Sequence, residues 1–287
     1  VLGELKEKLP LREDEKIKTF RLCKQQGNRF YAIFCIERPD AQRKDVKNWI
    51  AIDPNHKNLL MAVDNKGITY EFEKLSQIRY WDKIIDEIKS KRDLCLKKAK
   101  KVDIENGSTY YIPSRRWQRL NKALDNAYNC RREQIKSACF SIANWLSKNY
   151  DYAAFGDYTP SKKTAVEDTM HRSMLNQDVT GTLRKIVNWV MQRSGKTFSL
   201  VDEKDTTAKC CICGNKEKKA PNVREFTCIK CNSTLNRDIN SGINIAKKDK
   251  LLSGSDYAGW NLFKPTYTAK WDFAKGKLHL QAAQARN

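Results

Sequence analysis

The 287-residue chain is short of several features that would settle its class at once. No apolar run approaches the roughly 20 residues needed to span a bilayer. The longest are strand-sized, such as Tyr31-Ala-Ile-Phe-Cys-Ile36. No signal peptide and no internal repeat is visible, which argues against a secreted chain and a repeat architecture and leads us to expect an intracellular protein. Histidine is scarce, with three in all. His171 and His279 have no partner at ligand spacing, and His56 lies in a turn from which it could approach a phosphate. Ordinary surface or packing roles are expected for all three. Acidic residues are outnumbered, 34 against 55 Lys plus Arg, for a formal charge of +21. So large an excess costs self-repulsion and is usually kept for an anionic partner. Nucleic acid is the first candidate and a membrane surface the second. The basic residues are spread along the whole length, as suits a broad phosphate-contacting surface. Hydrophobic residues make up 40% of the chain, enough for a real core.

Cysteine is the exception to this scarcity. Five of the ten are scattered (Cys23, Cys35, Cys95, Cys130, Cys139) and read as buried thiols. The other five crowd between residues 210 and 231. Cys210-x2-Cys213 and Cys228-x2-Cys231 are separated by fourteen residues. Each pair presents two thiolates from one tight turn, and two such knuckles close a tetrahedron around Zn²⁺. Gly214 follows the first knuckle, where a turn residue is wanted. Cys211 is the odd one out, with poorer spacing. Four protein ligands leave no open position, so this zinc is expected to be structural.

Hydrophobic periodicity supplies the elements. Residues 17–36 read as a hairpin turning at Gln25-Gln-Gly-Asn28, and 37–47 as a linker. Asn48 to Asp53, Leu59 to Val63 and Ile68 to Phe72 read as three strands of a meander. Trp81 to Ala99 reads as a helix, followed by a polar break near 103–113. Ser114 is expected to cap a long helix carrying Trp117, Leu120, Leu124, Ala127, Ile135, Ala138, Ile142 and Leu146 on one face. Arg115, Arg116, Arg119, Lys122, Arg131, Arg132 and Lys136 lie on its other faces, either solvated or on phosphates. Tyr152 to Tyr158 is a fourth strand, closed by Pro160; 161–173 reads as a loop. Val179 to Val190 is a helix stopped at Gly195, and Thr197 to Val201 a fifth strand. Asn240 to Lys250 reads as the last helix. The tail, 251–287, shows no clear period. This is the α/β element order of an RNase H-like fold, with helices inserted before the fourth strand and a metal module before the last helix.

Acids fall at telling points of that order. Asp53 ends the first strand, Asp157 the fourth, and Asp202 and Glu203 the fifth, while Asp238 precedes the last helix. Carboxylates at strand ends are the oxygen ligands that Mg²⁺ takes, and two such ions hold the attacking and leaving oxygens of a phosphodiester in line.

Three segments carry a family resemblance. IAIDPNHKNLL, around Asp53, resembles the first RuvC motif of TnpB-type nucleases. VDEKDTTAKCCICG resembles their approach to the first cysteine pair, and FTCIKCNSTLNRDINSGINIAKK their second pair, the Arg-Asp and the following helix. Together these run in the family's order over residues 48–248. The resemblance to the TnpB and Fanzor family, relatives of type V CRISPR effectors, implies a RuvC domain over 48–204 with a helical insertion at 80–150. It further implies a zinc ribbon over 205–236, a final RuvC helix over 237–250 and a tail over 251–287. Residues 1–47 would be the end of a β-barrel and a linker, with the rest of that barrel and the recognition lobe missing from this chain. The implied partners are a guide RNA and a target DNA, with no membrane, and the implied cofactors are structural Zn²⁺ and two catalytic Mg²⁺. One departure stands out: Gly156 falls where the second RuvC motif usually places Glu. In Fanzor-like members that Glu is lost and one just before the ribbon replaces it, a position matched by Glu203. The implied metal-binding triad is therefore Asp53, Glu203 and Asp238, with Asp157 as fallback. A guided DNA-binding protein with a decayed site, or a guide-free zinc-ribbon accessory protein, are the alternatives.

Overall fold

The structure is a computed structural model that describes residues 11, 13–25, 29–39, 41–55, 57–97, 99–103, 107, 109–157, 179–220, 223–254 and 256–283. His56, His171, Pro160, the 161–173 loop and the hairpin turn at 26–28 lie outside the described residues. The chain divides into two compact units, Val1–Ala41 with Trp81–Cys130, and Gln42–Tyr80 with Arg131–Asn287.

In the first unit, β1 (Lys16–Gln25) and β2 (Arg29–Glu37) pair antiparallel, as the alternating runs predict. Helix α1 (Gln77–Leu96) and the first part of α2 (Arg115–Asn149) pack through Ile85, Leu124 and Ala127, flanked by Trp81, Ile84 and Ile88. The Ser114 hydroxyl accepts from the Trp117 amide at 3.2 Å, so the expected N-cap is present. The polar break is not all loop. Lys100–Asp103 (β6) and Thr109–Ile112 (β7) form a two-stranded ribbon joining the helices.

The second unit is built on a seven-stranded sheet. Its meander is β3 (Trp49–Pro54), β4 (Leu60–Asp64) and β5 (Thr69–Phe72). Strands β8 (Tyr152–Gly156) and β9 (Thr197–Val201) then add in parallel beside β3. The unplaced tail supplies β12 (Tyr267–Asp272), parallel to β5, and β13 (Lys277–Ala282), antiparallel to β12. The order is β13-β12-β5-β4-β3-β8-β9.

Both faces of this sheet are covered, so its strands alternate between two cores rather than between core and water. Ile50, Ile52, Leu60, Phe72 and Phe155 face one core, with Ile142 and Leu146 of α2 and Leu183, Val187 and Met191 of α3 (Thr180–Arg193). Ala51, Met61, Val63, Ala154 and Val201 face the other, with Ile239, Ile243 and Ala246 of α4 (Arg237–Lys248). Small residues on that second face let the helix come close. A methyl at Gly242 of α4 would meet the Val63 side chain at 2.9 Å.

Two expectations are corrected. Helix α4 begins at Arg237 rather than Asn240, because the Asn236 side chain accepts from the Asp238 and Ile239 amides and caps it three residues earlier. Of the five scattered cysteines only Cys139 is buried; Cys35, on a two-stranded sheet, is exposed. A lone hairpin has too little of a second layer to bury both its faces.

Candidate metal centres on helix α4

The cysteine cluster forms from two backbone turns of the same design. The Cys210 carbonyl accepts from Gly214 N and its amide donates to the Asn215 carbonyl. The Cys228 carbonyl accepts from Asn232 N and its amide donates to the Ser233 carbonyl. Each turn closes on a left-handed residue, Gly214 (φ 74°) and Asn232 (φ 55°). Glycine takes that conformation freely, and asparagine tolerates it among residues with a Cβ. Strands β10 (Glu225–Thr227) and β11 (Thr234–Asn236) pair across the second turn. One sulfur from each of Cys210, Cys213, Cys228 and Cys231 lies within 4.8 Å of the others. Cys210 Sγ is 3.8 Å from Cys231 Sγ, and Cys213 Sγ is 3.6 Å from Cys228 Sγ. A tetrahedron with Zn–S bonds of about 2.3 Å has edges of about 3.8 Å, so the four can hold such an ion. Burial pushes the Cys210 thiol up to about 12, whereas Ser233, through its hydroxyl and amide, lowers Cys231 to about 6. A cation at the centre would favour the thiolate at all four. Cys211 stays outside the set: its amide donates to Asn240 Oδ1 at 2.7 Å, and burial raises its thiol to about 12.

The acids meet on the α4 face of the sheet. Asp53 follows Ala51 at strand period, so it points toward α4, and it is only 3% exposed. The Ser241 hydroxyl of α4 contacts Asp53 Oδ1 at 2.7 Å. Asp238, in the first turn of α4, is also buried. Burial first, then the Glu203 charge and more weakly that of Asp238, raise the Asp53 carboxyl well above the usual range; Ser241 and Arg237 oppose them. Asp238 is held by Arg224 through Nη1 and by Arg237 Nε at 3.4 Å.

Glu203 reaches this cluster through a gap in β8. A Cβ placed on Gly156 would lie 1.9 Å from Glu203 Oε1 and 2.7 Å from its Cδ. The Glu203 carboxyl group therefore fills the space that any side chain at Gly156 would need. Parallel pairing of Gly156 with Val201 sets the register that brings it there. Asp157 contributes otherwise: its Oδ1 accepts from the Glu203 amide at 3.0 Å and so holds the turn. Asp202 turns away, toward Lys248 Nζ at 3.3 Å. Among the described residues no trio of carboxylates gathers within 4.8 Å as the cysteines do.

Several residues of this arrangement were not visible as site residues in the sequence. Asn240 and Asn244 both donate through Nδ2 to the carbonyls of Thr206 and Lys209, clamping the start of the cysteine module to α4. The Thr206 hydroxyl donates to the Glu203 carbonyl at 2.9 Å and lies 3.0 Å from Ser241 Oγ. Arg224, Lys57 and Lys264 line a cleft of about 280 Å³ beside Asp238. In the sequence, asparagine repeats at 240 and 244 and threonine doubles at 206–207, but neither pattern tells what those side chains bond. His279 Nε2 lies 3.7 Å from Asp272 Oδ2.

Comparison with known proteins gives a partial family match and a likeness of fold. The family model described as Cas12f1-like, TNB domain, matches residues 181–245, which hold α3, β9, the cysteine module and most of α4. In fold the chain is similar to a Cas12f1–sgRNA–target DNA complex solved by cryo-EM: TM-score 0.51 at 13% identity, covering 79% of this chain and 44% of that one. Weaker likenesses are a CRISPR-Cas12f ternary complex (TM-score 0.45, 15% identity, 75% and 42% covered) and the mini-RNA-guided endonuclease Cas_phi3 (TM-score 0.42, 13% identity, 70% and 44% covered). No curated protein matches the chain. The chain thus has a mixed α/β fold similar to that of Cas12f1 over most of its length, and spans under half of the Cas12f1 chain it matches.

Proposed function

We propose that this chain is the catalytic part of an RNA-guided, metal-dependent endodeoxyribonuclease with a RuvC-type site on an RNase H-like sheet. One observation carries the reading: the Glu203 carboxyl group occupies the space above Gly156, on the same sheet face as Asp53 and Asp238. A strand-four glycine would mark a decayed site if nothing replaced its carboxylate. Here Glu203 stands in that space, as in the Fanzor-like pattern. In this reading 48–204 and 237–250 form the RuvC domain, 205–236 a zinc ribbon, 1–47 the end of a barrel, and 251–287 a tail.

Asp53, Glu203 and Asp238 would hold two Mg²⁺, hard ions suited to carboxylate oxygens. When bound, those ions supply a water nucleophile at neutral pH and stabilise the attacking and leaving oxygens of the phosphodiester. The rest falls to the protein. Ser241 fixes the orientation of Asp53. Arg224 and Arg237 balance the Asp238 charge, and Arg224, Lys57 and Lys264 would offer cations to backbone phosphates in the adjoining cleft. Base pairing of guide RNA with target DNA would supply sequence choice, with the basic surface contacting backbone.

The test uses the complete protein with its RNA. Mg²⁺-dependent cleavage of a matched DNA is expected. Alanine at Asp53, Glu203 or Asp238 should lower it by on the order of 10³ while guided binding survives. Asp157→Ala should be much milder, since Asp157 holds a backbone amide. An inactive Asp157→Ala beside an active Glu203→Ala would return the acid to strand four. A complex that binds its target and never cuts with Mg²⁺ or Mn²⁺ would leave only the decayed-nuclease reading.

A further inference from the structure

The β6–β7 ribbon has no place in the catalytic reading, yet its composition is unusual for a strand pair in water. Lys101 pairs with Tyr111, Lys100 with Ile112, and Val102 with Tyr110. Because directly opposed residues share a face, each side of the ribbon carries one tyrosine and one lysine. Tyr110, Tyr111 and Ile112 are 49%, 45% and 43% exposed. Lys101 Nζ lies 5.8 Å from the centre of the Tyr111 ring, so cation and aromatic face are side by side. Both faces therefore stay open among the described residues, and a two-stranded hairpin is marginal in water by itself.

The surroundings give the sign of the partner. Residues 97–119 hold seven Lys and Arg against two acids. Arg115, Arg116 and Arg119 begin α2 where the ribbon ends, and all three are exposed. The stalk below is firm: Arg92 of α1 donates to Asn121 Oδ1 of α2 at 3.2 Å and lies over the Trp117 ring at 5.9 Å. A positive ribbon with a flat ring on each side, held out on a braced helix pair, matches a strand of phosphates with unstacked bases. Cations take the backbone and tyrosines take the bases. A paired duplex offers the phosphates but keeps its bases stacked, and an acidic protein surface offers no rings for both faces.

We propose that the β6–β7 ribbon is a binding site for single-stranded nucleic acid, with Tyr110 and Tyr111 as stacking platforms and Lys100 and Lys101 as phosphate contacts. It rests on the nucleic-acid reading above but not on the acid site. Unpaired guide RNA and displaced target DNA share this chemistry, so the test includes both. Fluorescein-labelled 20-nucleotide RNA, the same sequence as DNA, and a 20-bp duplex are titrated into the 287-residue chain over a range of salt, read by anisotropy. The tyrosine pair changed to alanine should weaken single-strand binding about tenfold or more and leave its salt slope alone. It should change duplex binding little. The tyrosine pair changed to phenylalanine keeps the rings and should bind as the parent does. Lys100→Ala with Lys101→Ala should flatten the slope of log affinity against log salt by about 1.4. The strand on which the tyrosine effect is larger identifies the source. Unchanged single-strand affinity in a folded tyrosine-to-alanine protein overturns the proposal, as does equal loss on the duplex or loss in the phenylalanine variant. Asp53→Ala keeps the two readings apart. Tyrosine-dependent binding with no cleavage by the complete protein and its RNA would sink the nuclease reading alone, and cleavage by that complex with tyrosine-independent binding would sink the ribbon alone.

Discussion

The two candidate metal centres flank one helix, the acids partly on it and the cysteine module clamped to it, and are built on opposite electrostatic terms. The cysteines already stand at tetrahedral spacing, with sulfurs 3.6 and 3.8 Å apart in the closest pairs. The acids converge on one face of the sheet, yet they do not crowd to that degree. The cysteines are set in place by backbone turns, with burial favouring the neutral thiol at Cys210 and Ser233 favouring the thiolate at Cys231. Buried carboxylates repel and lose hydration, so each needs a hydroxyl or a guanidinium until a cation arrives. Ser241 serves Asp53, and Arg224 and Arg237 serve Asp238. The thiols are thus placed by turns local in sequence, whereas the acids are held in tension by groups that a bound metal would have to outcompete.

The largest break in this comparison should come from Gly156. In Gly156→Ala the new methyl would collide with the Glu203 carboxyl group and expel it from the cluster. Cleavage by the complete protein with its RNA should fall by about 10²–10³, the scale of one lost electrostatic group in an active site. Normal turnover in that variant would show that Glu203 is not needed where it stands. Combining Gly156→Glu with Glu203→Gly would move the carboxylate to strand four, and partial recovery would sharpen the assignment.

Next in size is the cysteine module. Cys213→Ser or Cys231→Ser should remove one ligand of four and unfold the segment around it. The damage should extend past the ribbon, because Asn240 and Asn244 bind its backbone from the helix that carries Asp238. Metal analysis should give about one zinc per chain in the parent, and a strong chelator should lower its melting temperature. A parent protein indifferent to the chelator would mean the four thiols need no ion.

Asp53→Asn tests the tension directly and has a defined sign. The folded-state pKa of Asp53 is raised, so its contribution to stability is present below the unfolded value and lost as pH rises through the folded one. At neutral pH without divalent ions the buried charge is a liability. The asparagine variant should then be more stable by about 1–2 kcal/mol while failing to cleave. Its advantage should shrink as pH falls toward about 4, where unfolded aspartate also takes up a proton. Denaturant melts at several pH values read this, and a constant or reversed difference would contradict it.

The smallest effect is expected in the first unit. Charge removal at exposed Arg115, Arg116 and Arg119 should leave stability nearly unchanged and flatten the salt dependence of nucleic-acid binding. An unaltered slope would make this a solvated helix face.

Much of this was legible in the chain itself, wherever the information is local. Alternation placed Asp53 on the face opposite Ile52, cysteine spacing and Gly214 specified the knuckles, and Ser114 marked the start of α2. These depend on period two, on short turns and on a cap, all set within a few residues. What only the tertiary structure decided involves partners far apart in sequence. The tail joins the sheet because β12 pairs with β5, with Thr69 and Thr266 hydrogen-bonded across 197 residues. Its alternation is blurred by being covered unevenly, so no period announced it. That Arg224 meets Asp238, that Ser241 meets Asp53, and that Glu203 fills the gap at Gly156 follow from the packing of α4 on the sheet and the register of β8 with β9. A sequence can state that a glycine leaves room, but which side chain enters that room is fixed only when two strands lie side by side.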